Sequence, residues 1–291
     1  MESNDVVAVA ATTTNSVVEQ EYARLQAQEE SAQEEIAKWH KNKTPGEDLE
    51  EREHERLEPI RKGYEEFISR NPSHVRARLD FGSFLNELHD RSGAKVQWEK
   101  ALELEPQNAD AYNCLAGVYS AIGPAEKCFE YYARAIQLDP SAAAYYHNFG
   151  DTLYVLRKSA MQYYKLNEQQ VYLRALEFYS NAVRLEPTNF SYAWDFAQTH
   201  YVIKPLPTDA ALRSWTNTLK SARDSNEREG VYLHLARTKM LAGNTREARA
   251  QLENVTNAPQ AELKARLLRN IEEWERDLNS TNRVEAQKSP R

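Results

Sequence analysis

Pro72, Pro106 and Pro140 stand 34 residues apart, and Pro187 follows 47 residues later. No other feature constrains the fold as tightly, because a fixed period of about 20–50 residues marks a stack of repeated supersecondary units. The text before these prolines recurs as well: Ala101-Leu-Glu-Leu-Glu-Pro106, Ala135-Ile-Gln-Leu-Asp-Pro140 and Ala182-Val-Arg-Leu-Glu-Pro187. Each closes a run in which apolar residues return at every third and fourth position, the spacing of one helical face. Proline disfavours helical geometry in the residue before it, so each run reads as a helix that stops at the Asp or Glu.

Each period holds two such helical runs. The first, about 75–108, places Arg78, Phe81-Gly82, Leu85, Ala94, Trp98 and Ala101 ahead of Pro106. The second, about 109–142, places Tyr112, Leu115-Ala116, Tyr119, Cys128, Tyr132 and Ala135 ahead of Pro140, with Gly123 in the turn. The third, about 143–189, has Tyr146, Phe149-Gly150, Leu153, Ala175, Tyr179 and Ala182 before Pro187, with 13 extra residues between its two helices. The fourth keeps Phe196-Ala197, Ala211 and Trp215, but Lys204-Pro-Leu-Pro207 lengthens its turn and no proline closes it. The fifth, about 229–259, returns to Tyr232, Leu235-Ala236, Gly243, Ala248 and Leu252. Gly or Ala in the first helix admits the second at close range, the Ala of the second helix meets it there, and Tyr and Trp fill the wider gaps.

This order of residues resembles the tetratricopeptide repeat (TPR) over about 60–259. The resemblance implies an all-α fold: a right-handed α-solenoid of TPR-like helical hairpins whose first helices line a concave groove. Each hairpin leaves a face bare until its neighbour covers it, so stability comes from stacking. The implied function is a protein–protein interaction scaffold or adaptor that binds a peptide or helix of a protein partner in the groove.

In that family the ligand touches first-helix residues lying between the packing positions. Carried onto this chain, these are Asn113 and Gly117 in the second unit, and His147, Asp151 and Tyr154 in the third. Trp194, Gln198 and Tyr201 follow in the fourth unit and Arg237 in the fifth. They offer a polar floor with aromatic walls, suited to an extended peptide or a helix. The competing reading is that some of them pack between adjacent first helices. TPR domains that clamp a terminal carboxylate use Lys, Asn and Arg at positions held here by Leu79, Ser83, Cys114, Ala144 and Asn148, so the basic residues of that clamp are missing.

Outside the repeats, residues 1–15 show no helical period and are expected to be disordered. An acidic helical region is expected over 16–58, where Val18, Tyr22, Leu25, Glu29, Ala32, Ile36 and Trp39 form a heptad-like seam in 16–42. That helix either lies back on the repeats, self-associates weakly as a coiled coil, or acts as a partner-binding arm; self-association as an assembly unit is the alternative function. The charged stretch Gly46 to Arg56 reads as a linker or solvated helix start, and Pro59 is expected to open a half repeat. The insertion, about 157–170, holds Lys158, Met161, Tyr163, Tyr164 and Lys165, and either extends the preceding helix or forms a flap. A C-terminal capping helix is expected over 260–280, with Leu263, Leu267, Ile271, Trp274 and Leu278 on one face, followed by a disordered tail over 281–291.

Charge and composition narrow the function. The net charge is −7, and 15 Asp/Glu against 6 Lys/Arg in residues 1–59 leave the remainder near +2. A nucleic-acid binder normally carries a basic stripe, so no nucleic-acid partner is expected. An acidic N-terminus and the absence of any run of 18 apolar residues imply no signal peptide and no membrane span, with the cytoplasm as the default location. Cys114 and Cys128 form no metal-type pair and read as small structural thiols of a reducing compartment. His147 and Asp151, four apart, could form a general-base pair or a plain helix-surface hydrogen bond. No nucleophile, phosphate loop or metal motif accompanies them, so no enzyme activity, cofactor or metal is expected.

Overall fold

Each of the four periodic prolines ends one helix and begins the next in the same way. The residues just before them, Asn71, Glu105, Asp139 and Glu186, all leave the helical region, with φ between −128° and −134°. Two residues after each proline comes the residue that starts the following helix: His74, Asn108, Ala142 and Asn189. Three of the four cap it with a side chain, accepting from the N–H of Ala77, Ala111 and Tyr192 respectively.

The computed structural model describes the backbone of residues 2–42 and 48–288 and the side chains of 16–42 and 48–277, and among the described residues there is no strand. The chain divides into two compact units, one up to Gly123 and one from Pro124. The boundary falls in the turn of the second repeat.

The first unit contains α1 (Glu2–Lys41), α2 (Leu49–Arg70), α3 (Val75–Glu87), α4 (Arg91–Leu104) and α5 (Ala109–Ile122). The α3–α4 hairpin closes around Gly82: a Cβ there would lie 2.3 Å from Nε1 of Trp98. That indole donates to the Leu79 carbonyl at 3.0 Å, which fixes the ring against the helix it abuts. Ala94 and Ala101 of α4 are fully buried in the same seam.

The seam of α1 is covered inside this unit. Tyr22, Leu25 and Ala32 are buried, Tyr22 packs on Phe67 and bonds to Asp80, and Gln26 donates to Asp80 at 2.9 Å. Arg56 of α2 reaches Glu35 at 2.9 Å, and Arg52 lies over the Trp39 ring at 3.9 Å. The helix therefore lies back on its own chain.

The second unit contains α6 (Ala125–Leu138), α7 (Ala143–Val155), α8 (Arg157–Tyr164), α9 (Glu168–Leu185), α10 (Phe190–Thr199), α11 (Thr208–Ser221), α12 (Ser225–Leu241), α13 (Thr245–Leu252) and α14 (Ala261–Lys288). Single 3-10 turns lie at His200–Val202 and Ala258–Gln260. Gly150 of α7 repeats the device of Gly82, with a Cβ placed 2.9 Å from the Tyr179 ring of α9. Ala182, Ala197, Ala211, Ala236 and Ala248 are fully buried at the corresponding close approaches.

The structure departs from expectation at four places. Residues 2–15, expected to be disordered, continue α1 as backbone helix; extending a helix already anchored at Tyr22 and Leu25 costs far less than nucleating one and needs no apolar period. The same holds for 281–288, which prolong α14. α2 starts at Leu49 rather than at Pro59, in line with the helix-start reading of the charged stretch, because Asp48 caps it by accepting from Glu51 N, Glu50 and Glu51 favour its N-terminus, and Leu49 is buried. Of the expected linker, 43–47 lies outside the described residues. The insertion is neither a flap nor an unbroken extension of α7. The chain breaks at Leu156 and forms α8, whose Ala160 is buried and whose Tyr163 and Tyr164 pack on Phe129 of α6 at 5.4 and 5.5 Å.

α14 covers the last hairpin through Ile271, Leu267 and Leu268, packed on Leu233, Ala236, Met240 and Leu252. Leu263 and Trp274, expected on the same face, stay 40% exposed. The side chain of Leu278 lies outside the described residues.

Gly82→Ala tests the close approach. Overpacking costs about 1–3 kcal/mol, and the gain in helix propensity offsets about 1 kcal/mol of it. Because Trp98 is buried and pinned, we expect a lower midpoint in urea denaturation followed by tryptophan fluorescence; a midpoint equal to or above that of the wild type would show that the ring can yield.

Candidate partner-binding surface

The residues picked out by the repeat pattern fall into three places. Asn113 and Gly117 lie half-buried on α5 in the first unit. The other seven belong to the second unit and form two clusters there.

The first cluster joins α7 to α10. His147 Nε2 lies 2.9 Å from Asp195 Oδ2, and His147 Nδ1 lies 3.5 Å from Asp151 Oδ2. Asp151 also accepts from the Tyr179 hydroxyl at 2.6 Å, and the imidazole stacks on Tyr192 at 4.5 Å. The short contact of His147 is thus with the neighbouring repeat and not with Asp151, its partner four residues along the helix. Burial opposes protonation of His147, but the hydrogen bond to Asp195 and the charges of Asp151 and Asp195 outweigh it and raise its pKa. Burial raises that of Asp151, against the Tyr179 hydrogen bond and the His147 charge. Ligating atoms of His147, Asp151 and Asp195 lie within 4.8 Å of one another. Since each ring nitrogen faces its own carboxylate, the arrangement suits an imidazolium clamped between two repeats. Tyr154, from the same helix, packs on Tyr172 at 5.4 Å.

The second cluster joins α10 to α12. Trp194 donates to Gln198 at 2.9 Å and meets Trp215 and His234 edge-on at 5.1 and 4.9 Å. His234 stacks on Trp215 at 4.2 Å. Tyr201 is directed inward: its hydroxyl lies 3.0 Å from Thr238 Oγ1 and donates to the His234 carbonyl at 3.1 Å. Arg237 lies over the Tyr201 ring at 4.4 Å, with its guanidinium exposed. Burial and the nearby Arg237 charge lower the pKa of His234 to about 4. Beside this cluster, Trp194, Gly230, Leu233 and Arg237 with Leu263 and Leu267 of α14 line a cavity of about 580 Å³.

Asp195 and His234 are the residues that the repeat pattern did not single out. They occupy the repeat position of Cys114 and Asn148, one residue before each Leu-Ala, Phe-Gly or Phe-Ala pair. The same repeat position in the fourth and fifth units is the sequence signal that marks both. The α14 wall carried no such signal.

The two histidine environments predict opposite titrations. The folded pKa of His147 lies above its unfolded value of about 6.5, so its contribution to stability is present below that pH and lost as pH rises through the folded pKa. His234, lowered, contributes in the opposite sense, losing stability as pH falls from about 6.5 toward about 4. Histidine NMR titration should place His147 above and His234 below the reference value, and Asp195→Asn should bring His147 down while leaving His234 unmoved. A His147 resonance titrating at or below 6 in the wild type would refute the clamp.

Comparison with known proteins agrees with this architecture. The tetratricopeptide repeat family model matches residues 98–128. The chain is 33% identical over 67 residues to the Protein CTR9 homolog of Arabidopsis thaliana, a match that spans 23% of this chain and 6% of that protein. Among solved structures, YrrB, a TPR protein with an unusual peptide-binding site, superposes with a TM-score of 0.54 at 16% identity, covering 71% of this chain and 97% of its own. PilW, a type IV pilus biogenesis factor, gives 0.53 at 17% identity, covering 76% of this chain and 94% of its own. Yeast Tom70 gives 0.51 at 15%, covering 79% of this chain and 47% of its own. At those identities the likeness is one of fold. The matched repeat at 98–128, the proline-punctuated hairpins with their Gly and Ala close approaches, and the shared fold together give this chain the tetratricopeptide repeat fold.

Proposed function

We propose that the chain is an interaction scaffold that holds a peptide or a helix of a protein partner on the surface made by α7, α10, α12 and α14. The observation that carries this reading is the cavity beside Trp194: about 580 Å³ of open space walled by aromatic, aliphatic and guanidinium groups on successive repeats. Ligand sites have that size and composition, and aromatic and Arg side chains dominate the energetics of protein interfaces. The fold shared with YrrB, itself a TPR protein with a peptide-binding site, supports it.

A catalytic use of His147 is less well supported, because both ring nitrogens already face carboxylates. Self-association through 16–42 would need the α1 seam, and Tyr22, Leu25 and Ala32 of that seam are buried on α2 and α3. Among the described residues no helix is long and apolar enough to cross a membrane. The two free cysteines, whose thiols burial pushes up to about 12, fit a reducing compartment such as the cytoplasm.

Photo-crosslinking locates the surface. A benzoylphenylalanine at Gln198, beside Trp194, should capture a partner from native extract, and one at Glu177 on the exposed side of α9 should not. Trp194→Ala and Arg237→Ala combined should weaken capture at Gln198. Equal capture from Glu177, or an undiminished yield in that variant, would move the interface elsewhere.

A further inference from the structure

The cavity between α10, α12 and α14 is electrostatically one-sided. Leu233, Leu267 and Trp194 give it apolar walls, and Leu263 stands half-exposed at its margin. The charged residues lining it are Arg237 and Arg266, with no carboxylate beside them in the lining. Some arginines of this unit are met by carboxylates at short range, Arg157 by Glu168, Arg223 by Glu227 and Arg249 by Glu275. Arg237 instead lies flat on Tyr201, and Arg266 has no ion-pair partner among the described residues. Two exposed arginines lining one cavity with no carboxylate among the lining favour an anionic ligand, and a guanidinium binds a carboxylate through paired N–H donors.

The cavity also has room held open. Gly230 stands opposite Trp194, and a Cβ at that position would lie 3.3 Å from the indole, so glycine keeps the ring face accessible. A second hollow, about 310 Å³, shares Trp194, Gly230 and Gln260 with it and includes Asp195 and Glu227, which pair with His147 and Arg223. The charge lining the larger cavity itself is positive and lies at the α12–α14 end.

We infer that this cavity receives an apolar side chain, aromatic or aliphatic, from an acidic peptide segment of the partner, whose carboxylates pair with Arg237 and Arg266. The inference rests on the scaffold reading and narrows it to one end of the surface and one ligand chemistry. Apolar burial supplies the anchor, and the arginine pair fixes the polarity in which the peptide lies. His234 lines the same cavity, its ring stacked on Trp215, and reports on a carboxylate placed beside it.

The test uses the full chain and three labelled, end-blocked peptides followed by fluorescence anisotropy. The probes are Glu-Phe-Glu-Leu-Glu, its lysine counterpart Lys-Phe-Lys-Leu-Lys, and the apolar-deleted Glu-Ser-Glu-Ser-Glu. We expect saturable binding of the first alone, weakened about tenfold or more in the Arg237→Gln/Arg266→Gln variant. Both arginines are exposed, so the variant should fold, which its circular dichroism checks. The bound peptide should also raise the pKa of His234 in the NMR titration. No binding of the acidic apolar probe, equal binding of the lysine probe, or unchanged affinity in the double variant would each overturn the assignment. Loss of a dimer in the double variant would identify a second copy as the occupant and overturn it too. If the partner crosslinked at Gln198 is retained by that variant, the scaffold reading stands and this one falls; if neither probe nor partner engages the wild type, both fall.

Discussion

Everything in this structure depends on a close helix–helix approach made possible by one missing side chain. Gly82 under Trp98 and Gly150 under Tyr179 are the same contact in two repeats, a bare backbone meeting a large ring. Fully buried alanines serve the neighbouring positions. A large ring buries a large apolar area where the facing helix presents nothing bulkier than a glycine or an alanine. Because stacked repeats touch only their neighbours, the contact must recur in each hairpin for the stack to persist. The prolines are its complement: they set hairpin length, so the small residue of each first helix comes opposite the ring of its second.

That contact also dictates where function can lie. With Phe149-Gly150 and Phe196-Ala197 committed to packing, the residues one to four positions away on the same helices are left to face the next repeat or solvent. His147 reaches forward to Asp195 and Trp194 to His234, so each first helix hands a polar or aromatic contact to the following one. The surface is consequently ordered before any ligand arrives, which lowers the cost of binding. Tyr201 illustrates the division: its ring carries Arg237 on the outside while its hydroxyl is held within by Thr238 and the His234 carbonyl.

The repeats were legible because proline spacing and Gly/Ala positions are local rules that tertiary context did not override. What escaped the sequence was mostly non-local. α2 begins ten residues before Pro59 because Asp48 caps it and α1 lies against it, and α1 shows no period over 2–15 because a helix continued from an anchored segment needs none. The break at Leu156 and the return of α8 onto Phe129 depend on a neighbour that the insertion itself does not encode. The polar cluster was half legible: His147 and Asp151 follow from helix spacing, whereas Asp195 arrives from 48 residues away. Leu263 and Leu267 could be placed on one helix face, but not assigned between the core and an open cavity.

The two clusters of the second unit differ in how their charged groups are met. At α7–α10 the polar groups engage one another: the imidazole lies between two carboxylates, and one of those accepts from a tyrosine hydroxyl. Such a network rigidifies the stack, since leaving any member buried and unpaired would be costly. At α12–α14 the opposite holds, with guanidinium groups left exposed over an apolar hollow and a histidine that burial and Arg237 keep neutral. The closed cluster holds the helices in register, and the open one, supported by that register, is where an outside ligand has most to offer.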